Sequence, residues 1–248
     1  MKIFIINLAE SKERKDFLTQ QLSPFSLDYA FFEAIDGRKS KHYLFDHYQI
    51  SRKSSSLDLQ LSGGELGCWA SHYLLWETCV NTQETIVVLE DDITIDNNFP
   101  KALHAAKQLI DKYHYIRLSC VWDNRNQKID NYGNHTLIRY FKPPSGTQAY
   151  MISPRAAQNF INHAKTWHCA VDNFMDSYWI HKTECYALKP FSIHLTDLPS
   201  DINRNIHKPK LSLLQKTGKE YARALNKAAQ FNHNIKYNLK RIINTKQF

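Results

Sequence analysis

The chain has few of the residues and runs that define several protein classes. Only seven glycines and eight prolines occur among 248 residues, which excludes fibrous and low-complexity proteins. The first apolar run, from Ile3 to Leu8, is too short for the core of a signal peptide. No stretch approaches the roughly 18 apolar residues of a membrane span. The composition, with 43% hydrophobic and 23% charged residues, instead predicts an ordered domain with a packed core.

Cysteine patterns and the common nucleotide-binding loops are missing as well. The five cysteines are an odd number and include no Cys-x-x-Cys pair. A disulfide framework and a zinc ribbon are therefore poor fits, and a reducing cytoplasm is the expected location. Neither G-x-G-x-x-G nor G-x-x-x-x-G-K-[ST] is present. Dinucleotide and P-loop enzymes are disfavoured, whereas a nucleotide held through a metal ion stays possible.

The net charge of +8 is concentrated near the C-terminal end. Residues 206–248 contain ten Lys or Arg and one acidic residue, Glu220, whereas the remainder has 22 basic and 23 acidic residues. This basic segment could contact phosphates on nucleic acid, anionic lipid or a lipid-linked substrate, or it could be a solvated helical surface. The signatures of common nucleic-acid-binding modules are missing, so we expect no nucleic acid partner.

Short apolar runs alternate with helical patterns, which predicts an α/β fold with parallel strand pairs. Ligands in such sheets bind at the carboxyl ends of the strands. We predict one domain over residues 1–205 and a basic helical extension over residues 206–248. Strands are predicted at residues 2–8, 30–35, 85–89, 115–121 and 147–153. Helices are predicted after Ser11, with Phe17, Leu18 and Leu22 on one face, at residues 62–80 and 100–111, from residue 154, and at 172–180, and one or two more at 211–243. Loops are predicted at residues 42–61 and 123–134.

Three consecutive carboxylates, Glu90, Asp91 and Asp92, follow the most apolar predicted strand. Alternation along a strand places Glu90 and Asp92 on one side and Asp91 on the other. Crowded carboxylates repel each other unless a cation lies between them. Hard oxygen ligands suit Mg²⁺ or Mn²⁺, which can bridge to a diphosphate. The alternative interpretation is a solvated strand end.

Two further segments suit an anionic ligand. Arg14 follows the first strand closely and could contact a phosphate or stack on a base. The helix that begins near Gly64 offers free N–H groups to an anion. Along it, Trp69, His72 and Trp76 share one face with Glu65. Such a stripe is more typical of a core, although a Glu and a His interrupt it, and His72 is equally well interpreted as a structural histidine.

Several segments, in this order, resemble glycosyltransferase family 25. This family contains lipopolysaccharide and lipooligosaccharide sugar transferases, and collagen galactosyltransferase domains are related to it. The similar segments span roughly residues 2–180, and the chain beyond about residue 199 is not covered. They are Ile6-Asn7-Leu8 with Arg14, Ala34 to Gly37, Gly64 to Cys68 with Ser71-His72, Leu89 to Asp92, Gly146 to Ser153 with Ala157, and Val171-Asp172.

The resemblance implies a GT-A-type, single Rossmann-like domain with a mixed, mostly parallel sheet. It also implies an inverting transfer from UDP-galactose or UDP-glucose, assisted by Mn²⁺ or Mg²⁺. The acidic triplet would be the counterpart of the family's DXD motif, with Glu in place of the first Asp. The implied metal ligands are Asp92, Glu90 and the late His194. The implied nucleotide-binding residues are Asn7, Leu8, Arg14, Asp36, Gly64, His72, Glu90 and Asp91.

An inverting transfer needs a general base near the acceptor hydroxyl and positive charge on the leaving diphosphate. We favour Asp172 as the base, followed by Asp176, because positions i and i+4 share a helix face. The alternative role for Asp172 is to cap its helix. On this interpretation the acceptor is a lipid-linked oligosaccharide. The enzyme would then be cytoplasmic and peripheral, with its basic segment on the anionic inner membrane of a Gram-negative bacterium.

Three alternatives stay open at this point. The first is a transferase that uses a soluble or protein acceptor. The second is a nucleic-acid-binding protein that uses the basic segment, which would bind in a salt-sensitive way and would not need the acidic triplet. The third is a sugar-binding relative without catalytic activity.

Overall fold

A computed structural model describes residues 1–49, 61–196 and 213–245. Its strands are β1 (Lys2–Asn7), β2 (Tyr29–Glu33), β3 (Ile86–Glu90), β4 (Ile93–Ile95), β5 (Tyr115–Arg117), β6 (Asn126–Tyr132), β7 (His135–Tyr140), β8 (Ala149–Ile152), β9 (Tyr186–Lys189) and β10 (Ile193–Leu195). Its helices are α1 (Lys12–Leu22), α2 (Gly63–Thr82), α3 (Phe99–Tyr113), α4 (Pro154–His163), α5 (Val171–Met175), α6 (Tyr178–His181) and α7 (Leu213–Thr245), with a 3₁₀ turn at Tyr43–His47.

Eight of the strands form one mixed sheet in the order β2-β1-β3-β8-β5-β9-β7-β6. Strands β7 and β8 run opposite to the other six, and the pairs β1–β2, β1–β3 and β5–β9 are parallel. The remaining two strands, β4 and β10, form a separate antiparallel pair. This topology confirms the predicted α/β class with a mixed sheet in which most strands share one direction.

Helices cover both faces of the sheet, because its central strands are apolar on both sides. In β3, Ile86 and Val88 pack in the layer that contains α2, α4, α5 and α6. Val87 and Leu89 point the other way and pack in the layer that contains α1 and α3. The same alternation sends the next side chain, Glu90, towards α2 and sends Asp91 towards α1. The strand therefore decides which neighbours each carboxylate meets.

The hairpin of β6 and β7 corrects the prediction of a loop at residues 123–134. These strands pair in antiparallel fashion around a turn in which Gly133 has a φ of +56°. Strand β6 is polar because it lies at the edge of the sheet, where its side chains meet solvent. A polar edge strand has no apolar alternation, so the pattern did not reveal it.

Strands β4, β7, β9 and β10 were not predicted, and the other differences from the predicted elements are local. The helix predicted at residues 172–180 is two short helices, α5 and α6, separated at Asp176 and Ser177. On α1, Leu18 and Leu22 are buried as expected, but Phe17 is 38% exposed. Residues 50–60 of the predicted loop at 42–61 lie outside the described residues, as does the predicted domain boundary at residues 205 and 206.

The C-terminal part of the chain forms a single helix, α7, which is one of the two arrangements predicted for it. Seven of its residues are Lys or Arg, and Glu220 is its one acidic residue. None of the described helices is both long enough and apolar enough to cross a bilayer.

Candidate active site

A cleft of about 190 Å³ lies at the carboxyl ends of β1 and β3. The two strands are parallel neighbours, with Ile6 opposite Glu90, so the residues that follow them meet at one edge of the sheet. This is the position where the strand-end rule predicts a ligand. The walls come from the end of β1 and from residues 34–38, 64–72, 90–92, 146–148 and 170–172.

Two glycine-containing motifs pack directly against each other to form one wall. A Cβ atom on Gly67 would lie 2.1 Å from the carbonyl oxygen of Ile35, and one on Gly37 would lie 2.2 Å from that of Gly63. The backbone N–H of Ile35 also donates to Ser71 Oγ at 2.9 Å. Helix α2 can therefore approach the segment after β2 only because these positions lack side chains.

The N-terminus of α2 opens into the cleft. The helix begins with a capping box, in which Glu65 N–H donates to Ser62 Oγ at 3.2 Å and Ser62 N–H donates to Glu65 Oε2 at 2.8 Å. Gly64 lies in the first turn and lines the cleft. Since a helix N-terminus carries partial positive charge, this turn can receive a negative group.

A buried chain of hydrogen bonds holds Glu90. Trp76 Nε1 donates to Tyr150 Oη at 3.0 Å, Tyr150 Oη lies 2.9 Å from His72 Nδ1, and His72 Nε2 lies 3.1 Å from Glu90 Oε1. Thr147 Oγ1 donates to the same carboxylate oxygen. An indole N–H can only donate and an ionised carboxylate can only accept, so Tyr150 Oη accepts from Trp76 and the N–H at His72 Nε2 points at Glu90.

These hydrogen bonds determine the protonation state of Glu90. Burial by itself would raise the pKa of Glu90, but the hydrogen bonds from His72 and Thr147 outweigh it and hold the pKa below its ordinary value. The carboxylate is therefore ionised and fixed in direction. His72, which the sequence allowed as either a structural or a site residue, lines the cleft and positions Glu90.

Asp91 lies on the other side of the strand end, as the alternation predicted. Its Oδ2 accepts from Asn7 Nδ2 at 2.8 Å, and its Oδ1 accepts from Arg14 Nη1 at 2.9 Å. The pair holds the guanidinium of Arg14 at the cleft, which both residues line together with Leu8. Asn7 itself does not line the cleft and contributes through Asp91.

Asp92 is the carboxylate with unused bonding capacity. Its Oδ1 is buried and has no hydrogen-bond partner among the described residues. Burial, and then the charges of Glu90 and Asp91, raise the pKa of Asp92 to about 7. A buried carboxylate oxygen without a partner, crowded by like charges, is stabilised by a cation. Oxygen donors of this kind fit Mg²⁺ or Mn²⁺.

The cleft as a whole is acidic. Its two guanidinium groups belong to Arg14 and Arg38, and Arg38 forms ion pairs with Asp36 and Glu10. A diphosphate would be repelled by this lining unless a cation neutralised it. The carboxylates that line the cleft are Asp36, Glu65, Glu90, Asp91, Asp92 and Asp172.

A softer set of donors also lies in the cleft. Ligand atoms of Cys68, His72 and Glu90 lie within 4.8 Å of one another. Both ring nitrogens of His72 are already engaged, however, and burial raises the pKa of the Cys68 thiol well above its ordinary value. The oxygen donors around Asp92 are therefore the better cation site.

The two candidate bases are separated by the fold. Asp172 lines the cleft, and its Oδ1 accepts the N–H of Asn173 at 2.7 Å. Asp176 does not line the cleft, because it follows the last residue of α5 and pairs with Arg117 and the N–H of Ser145. Burial raises the pKa of Asp176 to about 6, against the charge of Arg117. The expectation that both aspartates line one pocket is corrected to Asp172 alone.

The late histidine is also not brought to the cleft. His194 lies on β10, is exposed, and has its Nε2 3.9 Å from Asp96 Oδ2. Strand β10 pairs with β4 next to Asp92, but the side chain of His194 is not among those that line the cleft. The expectation of a third metal ligand at His194 is corrected accordingly.

The residues that were not singled out from the sequence include Thr147, which lines the cleft, and Arg117, which contacts the carbonyl of the cleft residue Gly146. Thr147 belongs to a predicted strand and to a segment that resembles the family, without a role of its own, and its hydroxyl donates to Glu90. Arg117 is 2% exposed and donates to the carbonyl of Gly146 at 2.6 Å as well as pairing with Asp176. A charged residue inside an apolar predicted strand was the available signal for Arg117, because a buried charge needs a partner.

Comparison with known proteins gives a consistent picture. The family model for glycosyltransferase family 25 (LPS biosynthesis protein) matches residues 1–175. The lipooligosaccharide biosynthesis protein lic2B of Haemophilus influenzae is 25% identical over 171 residues, which are 64% of this chain and 62% of that protein. Human procollagen galactosyltransferase 2 is 29% identical over 116 residues, 45% of this chain and 18% of that protein.

One match among solved structures is a Drosophila β-1,4-galactosyltransferase 7 mutant in complex with manganese, UDP-Gal and xylobiose. It has a TM-score of 0.43 and 7% identity, and the match covers 88% of this chain and 78% of that one. The chain spans less than two thirds of the length of the curated relatives named above. The family model covers well over half of the chain, including all cleft residues up to Asp172. The chain therefore belongs to glycosyltransferase family 25.

Proposed function

We propose that this protein transfers a hexose from a UDP-sugar to a saccharide acceptor with inversion at C1. Galactose is the favoured sugar, and glucose is the second candidate. The observation that carries the proposal is the unpartnered, buried Oδ1 of Asp92 among the carboxylates of the cleft. A diphosphate-linked donor brought in with a divalent cation satisfies both the carboxylates and the phosphates.

The residues divide the work of donor binding. Asp92, with Glu90 beside it, would hold Mn²⁺ or Mg²⁺, which when bound supplies positive charge to the leaving diphosphate. The first turn of α2 at Gly64 and the guanidinium of Arg14 offer further positive charge. Leu8 and Ala34 give the cleft an apolar wall beside these groups.

Asp172 is our proposed general base. It lies on the wall formed by the start of α5, in the cleft that also contains Glu90 and Asp92. One oxygen accepts the N–H of Asn173, which fixes the carboxylate and leaves the other oxygen for a substrate hydroxyl. In an inverting transfer, the free carboxylate oxygen of Asp172 would take the proton of the acceptor hydroxyl. The hydroxyl oxygen would at the same time attack C1 of the sugar from the face opposite the diphosphate, which leaves.

For the acceptor we propose a lipid-linked oligosaccharide of lipooligosaccharide or lipopolysaccharide type. The similarity to the lipooligosaccharide biosynthesis protein of Haemophilus influenzae supports this choice. This would place the enzyme on the cytoplasmic face of an inner membrane. A protein acceptor is the second candidate, which the similarity to procollagen galactosyltransferase 2 favours.

A donor and acceptor screen tests the proposal. UDP release would be measured from UDP-galactose and UDP-glucose, with and without Mn²⁺, on truncated lipooligosaccharide saccharides and on procollagen peptides. We expect metal-dependent release that a lipooligosaccharide saccharide stimulates. If neither UDP-sugar is turned over or raises the melting temperature, the proposed activity is wrong. Stimulation by the peptide alone would replace the acceptor with a protein.

A further inference from the structure

Helix α7 is attached to the rest of the protein through polar side chains. Gln230 Nε2 and Asn234 Nδ2 both donate to the carbonyl of Phe141 at 3.2 Å. Tyr178 Oη also donates to Asn234 Oδ1 at 2.9 Å. These positions lie one helical turn apart, so they define the inner face of α7.

The inner face continues in the same polar way towards the C-terminal end of the helix. His233 Nε2 and Glu184 Oε1 form a short contact, and Tyr237 Oη lies 3.0 Å from Tyr186 Oη. The guanidinium of Arg139 lies 4.0 Å from the ring centroid of Tyr237. The helix is thus held mainly by hydrogen bonds and a cation–π contact rather than by an apolar stripe.

The apolar stripe of α7 points outward instead. Phe231, Ile235, Leu239 and Ile242 recur at spacings of four, four and three residues, which places them on one face of the helix. An amphipathic helix of a globular protein normally buries such a face, so an exposed stripe marks an interaction surface. Seven large apolar side chains of this helix are between 42% and 68% exposed: Tyr221, Leu225, Phe231, Ile235, Leu239, Ile242 and Ile243.

Basic residues border this outward stripe. At 100° per residue, Lys236 and Lys240 fall along one border of it, between the stripe and the inner face. Both are exposed. The acidic residue of the helix, Glu220, is already paired with Arg223 at 2.6 Å. The outward face is therefore an apolar strip with positive charge along one border.

We propose that the outward face of α7 binds the surface of an anionic lipid bilayer. The apolar side chains would enter the boundary between headgroups and acyl chains, and the Lys side chains would meet anionic headgroups. A second copy of this chain is a poorer occupant, because pairing two copies of α7 would bring together two helices that each carry seven basic residues and one acidic residue. The inference uses no residue of the cleft and does not depend on the proposed transferase activity.

Vesicle flotation with the full chain tests this proposal. Vesicles of phosphatidylcholine alone and vesicles with about 30% phosphatidylglycerol would be compared at low and high salt. We expect binding to the anionic vesicles that weakens as salt increases. The combined variant Phe231→Gln, Ile235→Gln and Leu239→Gln should weaken binding at least tenfold. The double variant Lys236→Gln and Lys240→Gln should weaken binding mainly at low salt.

A matched control is available elsewhere on the surface. Trp122 and Tyr43 are each 64% exposed and lie outside α7, so replacing both by Gln should leave vesicle binding unchanged. Far-UV circular dichroism would verify that the helix is kept in each variant. The proposal is wrong if the wild-type protein does not bind anionic vesicles. It is equally wrong if the variant with Phe231, Ile235 and Leu239 replaced by Gln binds them as well as the wild type. It is also wrong if light scattering shows a dimer that this variant dissociates.

Discussion

At the residue scale, the three consecutive carboxylates have three different environments. Glu90 is held by His72 and Thr147, Asp91 by Asn7 and Arg14, and Asp92 Oδ1 has no hydrogen-bond partner among the described residues. The sequence predicted that Glu90 and Asp91 would point to opposite sides, because strand alternation is a local property. It could not reveal which oxygens are already used, since their partners are distant in the chain.

Replacing Asp92 tests its role most simply. Asp92→Asn keeps the shape of the side chain but removes the charge that would hold a cation. We expect metal-dependent turnover to fall by at least about 100-fold, with no loss of melting temperature. Asp111→Asn, at an exposed position on α3, is the matched control and should keep full turnover. Near-normal turnover of Asp92→Asn would reject the ligand role.

The hydrogen-bond chain behind Glu90 gives a second prediction. Tyr150→Phe removes the hydroxyl that joins Trp76 Nε1 to His72 Nδ1, and leaves both buried groups without this partner. We expect the free energy of unfolding to fall by about 1–3 kcal/mol. The acidic limb of the rate–pH profile should also move to higher pH. The hydrogen bond from His72 helps to hold the pKa of Glu90 down, and this pKa should rise when Tyr150 no longer positions the His72 ring. An unchanged rate–pH profile would show that the hydrogen bonds from Trp76 through Tyr150 to His72 do not position Glu90.

At the element scale, the two ends of α5 separate chemistry from stability, because Asp172 lies at its start and Asp176 follows its last residue. Asp172→Asn should abolish transfer and leave donor binding and stability nearly unchanged. Asp176→Asn should instead leave the buried charge of Arg117 without its ion-pair partner. Loss of one partner of a buried pair costs about 3–5 kcal/mol, so this variant should melt much earlier. Thermal unfolding and transfer assays on both variants would check the assignment, which fails if Asp172→Asn retains transfer.

The contact between α2 and the segment after β2 gives the next prediction. Gly67→Ala would place a methyl group against the carbonyl of Ile35 and push the two walls of the cleft apart. We expect lower stability and weaker UDP binding, measured by thermal shift and calorimetry. Gly218→Ala is the control, because no atom lies within 4 Å of its added Cβ. That change should be neutral or stabilise α7 by about 0.5–1 kcal/mol.

Elements marked by long apolar runs or capping residues were predictable, whereas polar, short or interrupted strands were not. Strands β1 and β3 and helices α2 and α4 begin within two residues of their predicted positions, because apolar runs and the capping residues Ser62 and Ser153 mark them. Strand β6 was missed because its side chains are polar. Helix α7 was predicted as a helix, but periodicity cannot tell which of its faces meets the protein.

At the scale of the whole molecule, the buried histidine His181 makes stability depend on pH. Burial lowers the pKa of His181 to about 3, and its Nε2 donates to the carbonyl of Met175 at 3.2 Å. The unfolded chain, with an ordinary histidine, takes up a proton between about pH 6.5 and 3 that the folded chain does not. The free energy of unfolding should therefore fall as pH drops through this window, by up to about 1.4 kcal/mol per pH unit.

Denaturant unfolding at several pH values would measure this slope. His181→Gln should flatten it, because the replacement cannot be protonated in the unfolded state. His104→Gln, at an exposed position, is the control and should leave the slope as it is in the wild type. Equal slopes for the wild type and His181→Gln would remove His181 as the cause.

The measurement that tests the account most directly is a crystal structure with Mn²⁺ and UDP bound. The anomalous signal of manganese locates the ion without reference to the protein chain. We predict one strong peak within about 2.6 Å of a carboxylate oxygen of Asp92, with the diphosphate on its other side and close to the first turn of α2. A peak away from Asp92, or a nucleotide bound outside the cleft, would contradict the account.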